Sequence, residues 1–223
     1  MSAVLATLCL FLLGCSYAGP SFQGFLFVTW WTGTLQGNVS VPAFVRPVTI
    51  HGLWPQNFTG SCDYPSYCPG PQFNLTQLGL LIPLMLAAWP GYEEPSPSFW
   101  AHEWDKHGTC ATSNEYAYFG AGLRLLLSLD PAAGLSAGGI IPGASYSPQQ
   151  IVGALSAWRG VAPVITCAGY NTPWSGKNQA TQSLQEIIFC LDVLMSPMGC
   201  PRCILEEGNC GLSVYVPVPQ YQF

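Results

Sequence analysis

Two stretches of this sequence carry the side chains best able to move protons. One runs Phe99-Trp100-Ala101-His102-Glu103-Trp104-Asp105-Lys106-His107-Gly108-Thr109-Cys110, and the other is Val48-Thr49-Ile50-His51-Gly52-Leu53-Trp54-Pro55. The chain has three histidines, and all three lie in these stretches. Only 8% of residues are charged, yet Glu103, Asp105 and Lys106 fall within four positions. So uneven a distribution points to a site rather than to a solvated surface.

On an α-helix each residue turns about 100°. With His102 at the origin, Lys106 falls near ~40°, Glu103 near ~100° and His107 near ~140°. One helical face would then present two imidazoles, a carboxylate and an ammonium. Glu103 and His107, four residues apart, can touch. A zinc protease face needs two histidines four apart flanking a glutamate. Here they are five apart with a lysine between them, so no metal site is expected. No Gly-x-Ser-x-Gly motif supports a serine hydrolase. The cysteines look paired, which argues against a thiol nucleophile. The chemistry left is general acid–base catalysis at a phosphodiester. Two imidazoles with ordinary pKa values of about 6.5 can divide into an acid and a base. A lysine beside them stabilises developing negative charge, and the glutamate tunes or orients an imidazole. No metal or other cofactor is needed if the substrate brings its own nucleophile. RNA does so through its 2′-hydroxyl, and DNA has none.

Composition limits how such a substrate is held. The net charge is −5, and the six basic residues, Arg46, Lys106, Arg124, Arg159, Lys177 and Arg202, form no stripe. RNA would be bound transiently, at a local site. With 223 residues and 49% hydrophobic content the chain can bury one sizeable core. Residues 1–18 carry no charge and end in Ser16-Tyr17-Ala18, as a cleavable secretory signal does, with an uncleaved anchor as the alternative reading. Residues 19–223 are then a single domain and a monomer, with no span to hold it in a membrane. Eight cysteines remain, Cys62, Cys68, Cys110, Cys167, Cys190, Cys200, Cys203 and Cys210, an even set expected to form disulfides. Sequons at Asn38, Asn57 and Asn74 fit the same compartment. The expected location is extracellular, or vacuolar-lysosomal.

Several elements must position the two stretches. Phe25–Trp31 reads as a buried strand. Val41–Ile50 reads as extended, delivering His51 at a strand end. Residues 55–72 read as a loop. Leu75–Trp89 suits a buried helix ended or kinked by Pro83. A helix is expected over Ser113–Leu129, with Tyr116, Phe119, Leu123 and Leu126 or Leu127 near helical spacing and Asp130-Pro131 as its stop. Residues 132–145 read as a Gly-rich loop. Ser147, Pro148 and Gln150 form a capping box for a helix running to about Trp158. Val161–Cys167, Gln185–Val193 and Val214–Val218 read as strands. The mixture predicts an α+β fold: a central antiparallel sheet flanked by helices and stabilised by disulfides.

The two stretches together resemble the ribonuclease T2 family of secreted acid ribonucleases. His51-Gly52-Leu53-Trp54-Pro55 is similar to its first active-site segment. Phe99-Trp100, His102-Glu103-Trp104 and Lys106 to Cys110 are similar to its second. The resemblance implies endonucleolytic cleavage of RNA with little base preference, through a 2′,3′-cyclic phosphate that is then hydrolysed to a 3′-phosphate. It implies His107 as general base, His51 as general acid, Glu103 and Lys106 as transition-state stabilisers, His102 as a phosphate ligand and Trp54 as an aromatic that packs on the nucleotide. It also implies that Cys68 pairs with Cys110, Cys167 with Cys210, and Cys190 with Cys200 or Cys203, leaving Cys62 and one of the latter unassigned. The chain departs from the family at Trp30-Trp31-Thr32, where Gln-Trp-Pro and then a cysteine are common, so base preference does not carry over. The competing reading is a secreted glycoprotein with mainly a recognition or signalling role. A storage role has no support in the composition.

Overall fold

The computed structural model describes residues 22–35, 44–168 and 182–219. The expected signal at 1–18, Asn38 and Lys177 lie outside them. Strand β1 (Gly24–Trp31) lies between β2 (Val48–Gln56) and β5 (Gln182–Asp192). Its near-continuous apolar run, Gly-Phe-Leu-Phe-Val-Thr-Trp-Trp, suits a strand covered on both faces. The order continues to β7 (Val214–Tyr215) and β3 (Ser145–Tyr146), while β4 (Val164–Ala168) and β6 (Pro197–Met198) also pair with β5. Among the described pairs all are antiparallel except β5 with β7.

Alternation along β1 divides the core in two. Phe25, Phe27 and Trp31 enter the larger cluster with Ile50, Leu53, Trp89, Trp100, Trp104 and Phe119. Leu26 and Val28 face a smaller cluster with Val164, Ile188, Cys190 and Ile204. The larger cluster is covered by helices α1 (Ile82–Ala88), α2 (Ser96–Glu103) and α4 (Glu115–Leu129). The smaller one lies beside α7 (Arg202–Leu205) and two disulfides, Cys62–Cys203 and Cys190–Cys200. Cys68–Cys110 and Cys167–Cys210 complete the set, so Cys62 and Cys203, whose pairing was open, join each other.

Several expectations need correcting. Leu75–Trp89 is not one buried helix. Two 3-10 turns, Leu75–Gln77 and Gly79–Leu81, lead into α1, and Leu80 is 87% exposed. Pro83 stands in the first turn of α1, where a missing N–H costs nothing, so it starts the helix instead of ending it. Residues 132–145 are not all loop. Asp130 takes a left-handed conformation that closes α4, and its side chain accepts from Ala133 N–H to cap α5 (Pro131–Ala137). Tyr116 and Leu127 are exposed, and Tyr118 is buried in their place. The capping box of Ser147 and Gln150 is present at the start of α6 (Pro148–Arg159).

Candidate active site

His51 lies within β2, not at its end. Val28 pairs with Gly52 and Thr29 with Ile50, which leaves His51 as the extra residue of a β-bulge. Residues three apart on a regular strand point to opposite faces. The bulge adds one residue, so His51 and Trp54 share the face of the smaller cluster, their rings 5.0 Å apart edge to face. β2 ends the sheet path, and its carbonyls find partners from the helical side. Trp89 Nε1 donates to His51 O at 2.9 Å, and Tyr118 OH donates to Leu53 O at 2.9 Å. The larger cluster thereby holds the bulge from behind.

The second stretch is not one regular α-helix. α2 ends at Glu103, and Trp104–Gly108 is a π-turn in which Thr109 N–H reaches Trp104 O, five residues back. A short α3 (Thr109–Ala111) follows, tied through Cys110 to the preceding loop. The regular helical spacing put His102 and His107 about 140° apart. The π-turn winds five residues into roughly one turn, and such turns recur at functional sites. Gly108 permits it, because a Cβ there would collide with the Trp104 ring. Trp104 is fully buried, and its Nε1 donates to Pro71 O at 2.8 Å.

His51, Trp54, His102, Glu103, Lys106 and His107 therefore line one cleft of about 500 Å³. Every candidate from the sequence is in it. Trp54 sits between the two central imidazoles: its ring lies 5.0 Å from His51 edge to face and 5.0 Å from His107 in a stack. Its Nε1 donates to Glu103 Oε2 at 2.9 Å. A Cβ at Gly52 would strike both of those groups, so this bond needs glycine there. Trp54 is thus a half-buried spacer and hydrogen-bond donor within the cleft.

The two imidazoles meet opposite environments. His107 is 3% exposed, and its Nδ1 has no hydrogen-bond partner among the described residues. Burial, and then the charges of Lys106, His51 and His102, lower its pKa to about 3. His51 Nδ1 instead lies 2.7 Å from Glu186 Oε1. Glu186 is held below the usual carboxylate range. Burial alone would raise it, but the bond and charge of His51 and the bonds from Trp30 and Thr166 outweigh burial. Glu103, 2% exposed, is pushed by burial to about 7, against the opposing pull of His51, Trp54 and Lys106.

Glu103 has a measurable consequence for stability. A raised carboxyl favours the neutral form in the folded chain, so its contribution is complete below pH 4.5 and is lost as pH rises through about 7. Glu103→Gln removes that titration. Between pH 4.5 and pH 8, urea unfolding should show the wild type losing about 3 kcal/mol relative to the variant. A difference under about 1 kcal/mol would mean that Glu103 is not held neutral by burial.

Sequence reasoning missed Glu186, along with Trp30, Tyr92 and Phe99, which also line the cleft. A signal for Glu186 was available. It is a carboxylate directly before Ile187-Ile188-Phe189 in a strand read as buried, and such a group needs partners. Of the sequons within the described residues, Asn57 is half-buried and Asn74 exposed. No three His, Cys, Asp or Glu side chains among the described residues come together as a metal-binding group.

The sequence model of the Ribonuclease T2 family matches residues 22–200. Extracellular ribonuclease LE of Solanum lycopersicum is 36% identical over 96% of this chain and 94% of its own length. Ribonuclease DdI of Dictyostelium discoideum is 34% identical over 88% of this chain and 85% of its own. Among solved structures, ribonuclease MC1 from the seeds of bitter gourd superposes with a TM-score of 0.72 at 30% identity, covering 87% of this chain and 100% of that one. RNase NT in complex with 5′-AMP gives 0.76 at 26% identity, covering 88% and 98%.

Proposed function

The chain belongs to the ribonuclease T2 family, and from that premise we propose that it is a secreted, metal-independent endoribonuclease acting on single-stranded RNA. The observation that carries this reading is the pair of imidazoles on either side of Trp54, one buried and unpartnered, the other bonded to a carboxylate. A neutral imidazole is a base, and an imidazole beside a carboxylate can hold the proton of an acid.

In the first step His107 removes the proton of the ribose 2′-hydroxyl. The 2′-oxygen bonds to phosphorus while the bond from phosphorus to the 5′-oxygen breaks, and His51 gives its proton to that leaving oxygen. The products are a 2′,3′-cyclic phosphate and a free 5′-hydroxyl. In the second step water attacks phosphorus. His51, now neutral, takes the water's proton, the bond from phosphorus to the 2′-oxygen breaks, and His107 returns its proton to that oxygen, leaving a 3′-phosphate. Lys106 offsets charge on the phosphoryl oxygens, and His102 contacts the phosphate. Below about pH 7 Glu103 is neutral, so it donates a hydrogen bond to the phosphate instead of repelling it. Secretion and glycosylation complete the proposal, resting on the uncharged N-terminal run, the sequons and four disulfides.

The pH dependence follows from two groups. Protonation of His107 near 3 removes the base, and ionisation of Glu103 near 7 puts a carboxylate beside the phosphate. Turnover of RNA, measured as kcat/KM in excess chelator, should give a bell centred at about pH 5. DNA should remain intact throughout. A peak above pH 7.5, cleavage of DNA, or loss of activity with chelator would each defeat the proposal.

A further inference from the structure

Trp30, Glu186 and Thr166 lie side by side on three neighbouring strands. Trp30 is the cross-strand partner of Glu186 in β1–β5, and Thr166 is its partner in β4–β5. Directly opposed residues in antiparallel strands put their side chains on one face. That face holds the smaller cluster and, because of the bulge, His51. Glu186 Oε1 takes the Trp30 Nε1–H at 2.9 Å, and Oε2 takes the Thr166 hydroxyl at 3.0 Å. His51 Nδ1 shares Oε1 at 2.7 Å, and the indole of Trp30 packs on the imidazole with centroids 4.3 Å apart.

We infer that Glu186 is the positioning residue for His51: it fixes the ring, holds a proton on Nδ1 and thereby commits Nε2 to the leaving oxygen. This deepens the proposed ribonuclease mechanism and rests on it. A carboxylate can only accept, so Nδ1 must carry the hydrogen of this bond. The ring is then restricted in rotation and in tautomer, with Nε2 left as the nitrogen that exchanges protons with substrate. The other charged groups around the ring do not duplicate this role. Lys106 and His102 offer no carboxylate, His107 is neutral above about pH 3, and Glu103 is neutral at acid pH and engaged by Trp54. Glu93 and Glu94 line the same cleft. Trp30 and Thr166 hold the carboxylate in place, so a residue pattern unlike the family's at Trp30 acquires a structural use.

A positioning role for the acid makes a prediction that depends on the leaving group. A 5′-alkoxide needs a proton to depart, while para-nitrophenolate does not. Glu186→Gln preserves the shape: its carbonyl can still accept from His51 and Trp30, and its amide can donate to Thr166. It removes the charge that supports imidazolium. On a dinucleoside phosphate this variant should lose at least about 10-fold in kcat, with KM within about 2-fold of wild type. On a nucleoside 3′-para-nitrophenyl phosphate it should stay within about 2-fold of wild type. Glu186→Ala, which also frees the ring, should lose more on the first substrate and still little on the second. Equal losses on both substrates would mean a structural role and overturn the inference, as would no loss on either. If the wild type cleaves neither substrate, the ribonuclease reading itself fails, which the Glu186 comparison alone could not show.

Discussion

Replacing His107 by alanine should lower RNA turnover by about 10²-fold to 10⁴-fold, the range that a positioned general base contributes. The expectation rests on where the side chain sits. Burial and the surrounding charges of Lys106, His51 and His102 keep this imidazole neutral to about pH 3, so at pH 5 it is ready to accept a proton. No other described group in the cleft fits that role as well. His51 is tied to Glu186, Glu103 is protonated until about pH 7, and Lys106 is a cation. The variant should still fold, because it removes a buried polar group whose Nδ1 has no partner. Circular dichroism checks the fold, and initial rates on RNA near pH 5 check the activity. A folded variant that keeps more than a tenth of wild-type turnover would refute the role.

The second large effect is expected at Cys68–Cys110. These residues are 42 apart in sequence, and their bond joins the loop after β2 to α3, directly after the π-turn. Closing a loop of that size in the unfolded chain corresponds to about 4 kcal/mol. Replacing both cysteines by serine should therefore cost about 3–4 kcal/mol in urea unfolding. The same change should weaken the catalytic turn, which that loop also holds through Tyr67 N–H to Lys106 O at 3.0 Å and Trp104 Nε1 to Pro71 O at 2.8 Å. A loss under about 1 kcal/mol would mean that packing alone holds the turn.

The sequence displayed the reacting groups better than it displayed their placement. His51, Trp54, His102, Glu103, Lys106 and His107 were all legible, because histidines and charged residues are scarce in this chain. The strands over β1, β4 and β5 and the capping box of α6 were legible too, since apolar runs and cap chemistry are local signals. What escaped was the two places where the backbone leaves its regular period. The bulge at His51 brings residues three apart onto one face, and the π-turn alters the spacing of residues five apart. Neither follows from side-chain type, although Gly52 and Gly108 mark both. Glu186 escaped for another reason. Its partners Trp30 and His51 lie 156 and 135 residues away in sequence, so only the sheet register reveals them. Pro83 and the segment after Asp130 misled because proline at a helix start looks, in sequence, like proline at a helix stop.

The central claim is that two imidazoles transfer protons around a nucleophile supplied by the substrate. A DNA oligonucleotide carrying one ribonucleotide tests it most directly. The purified protein, in excess chelator near pH 5, should cut once, on the 3′ side of that ribonucleotide. It should leave first a 2′,3′-cyclic phosphate and later a 3′-phosphate, resolved by phosphorus NMR. Cleavage at a deoxynucleotide, or a product ending in a 5′-phosphate, would contradict the account.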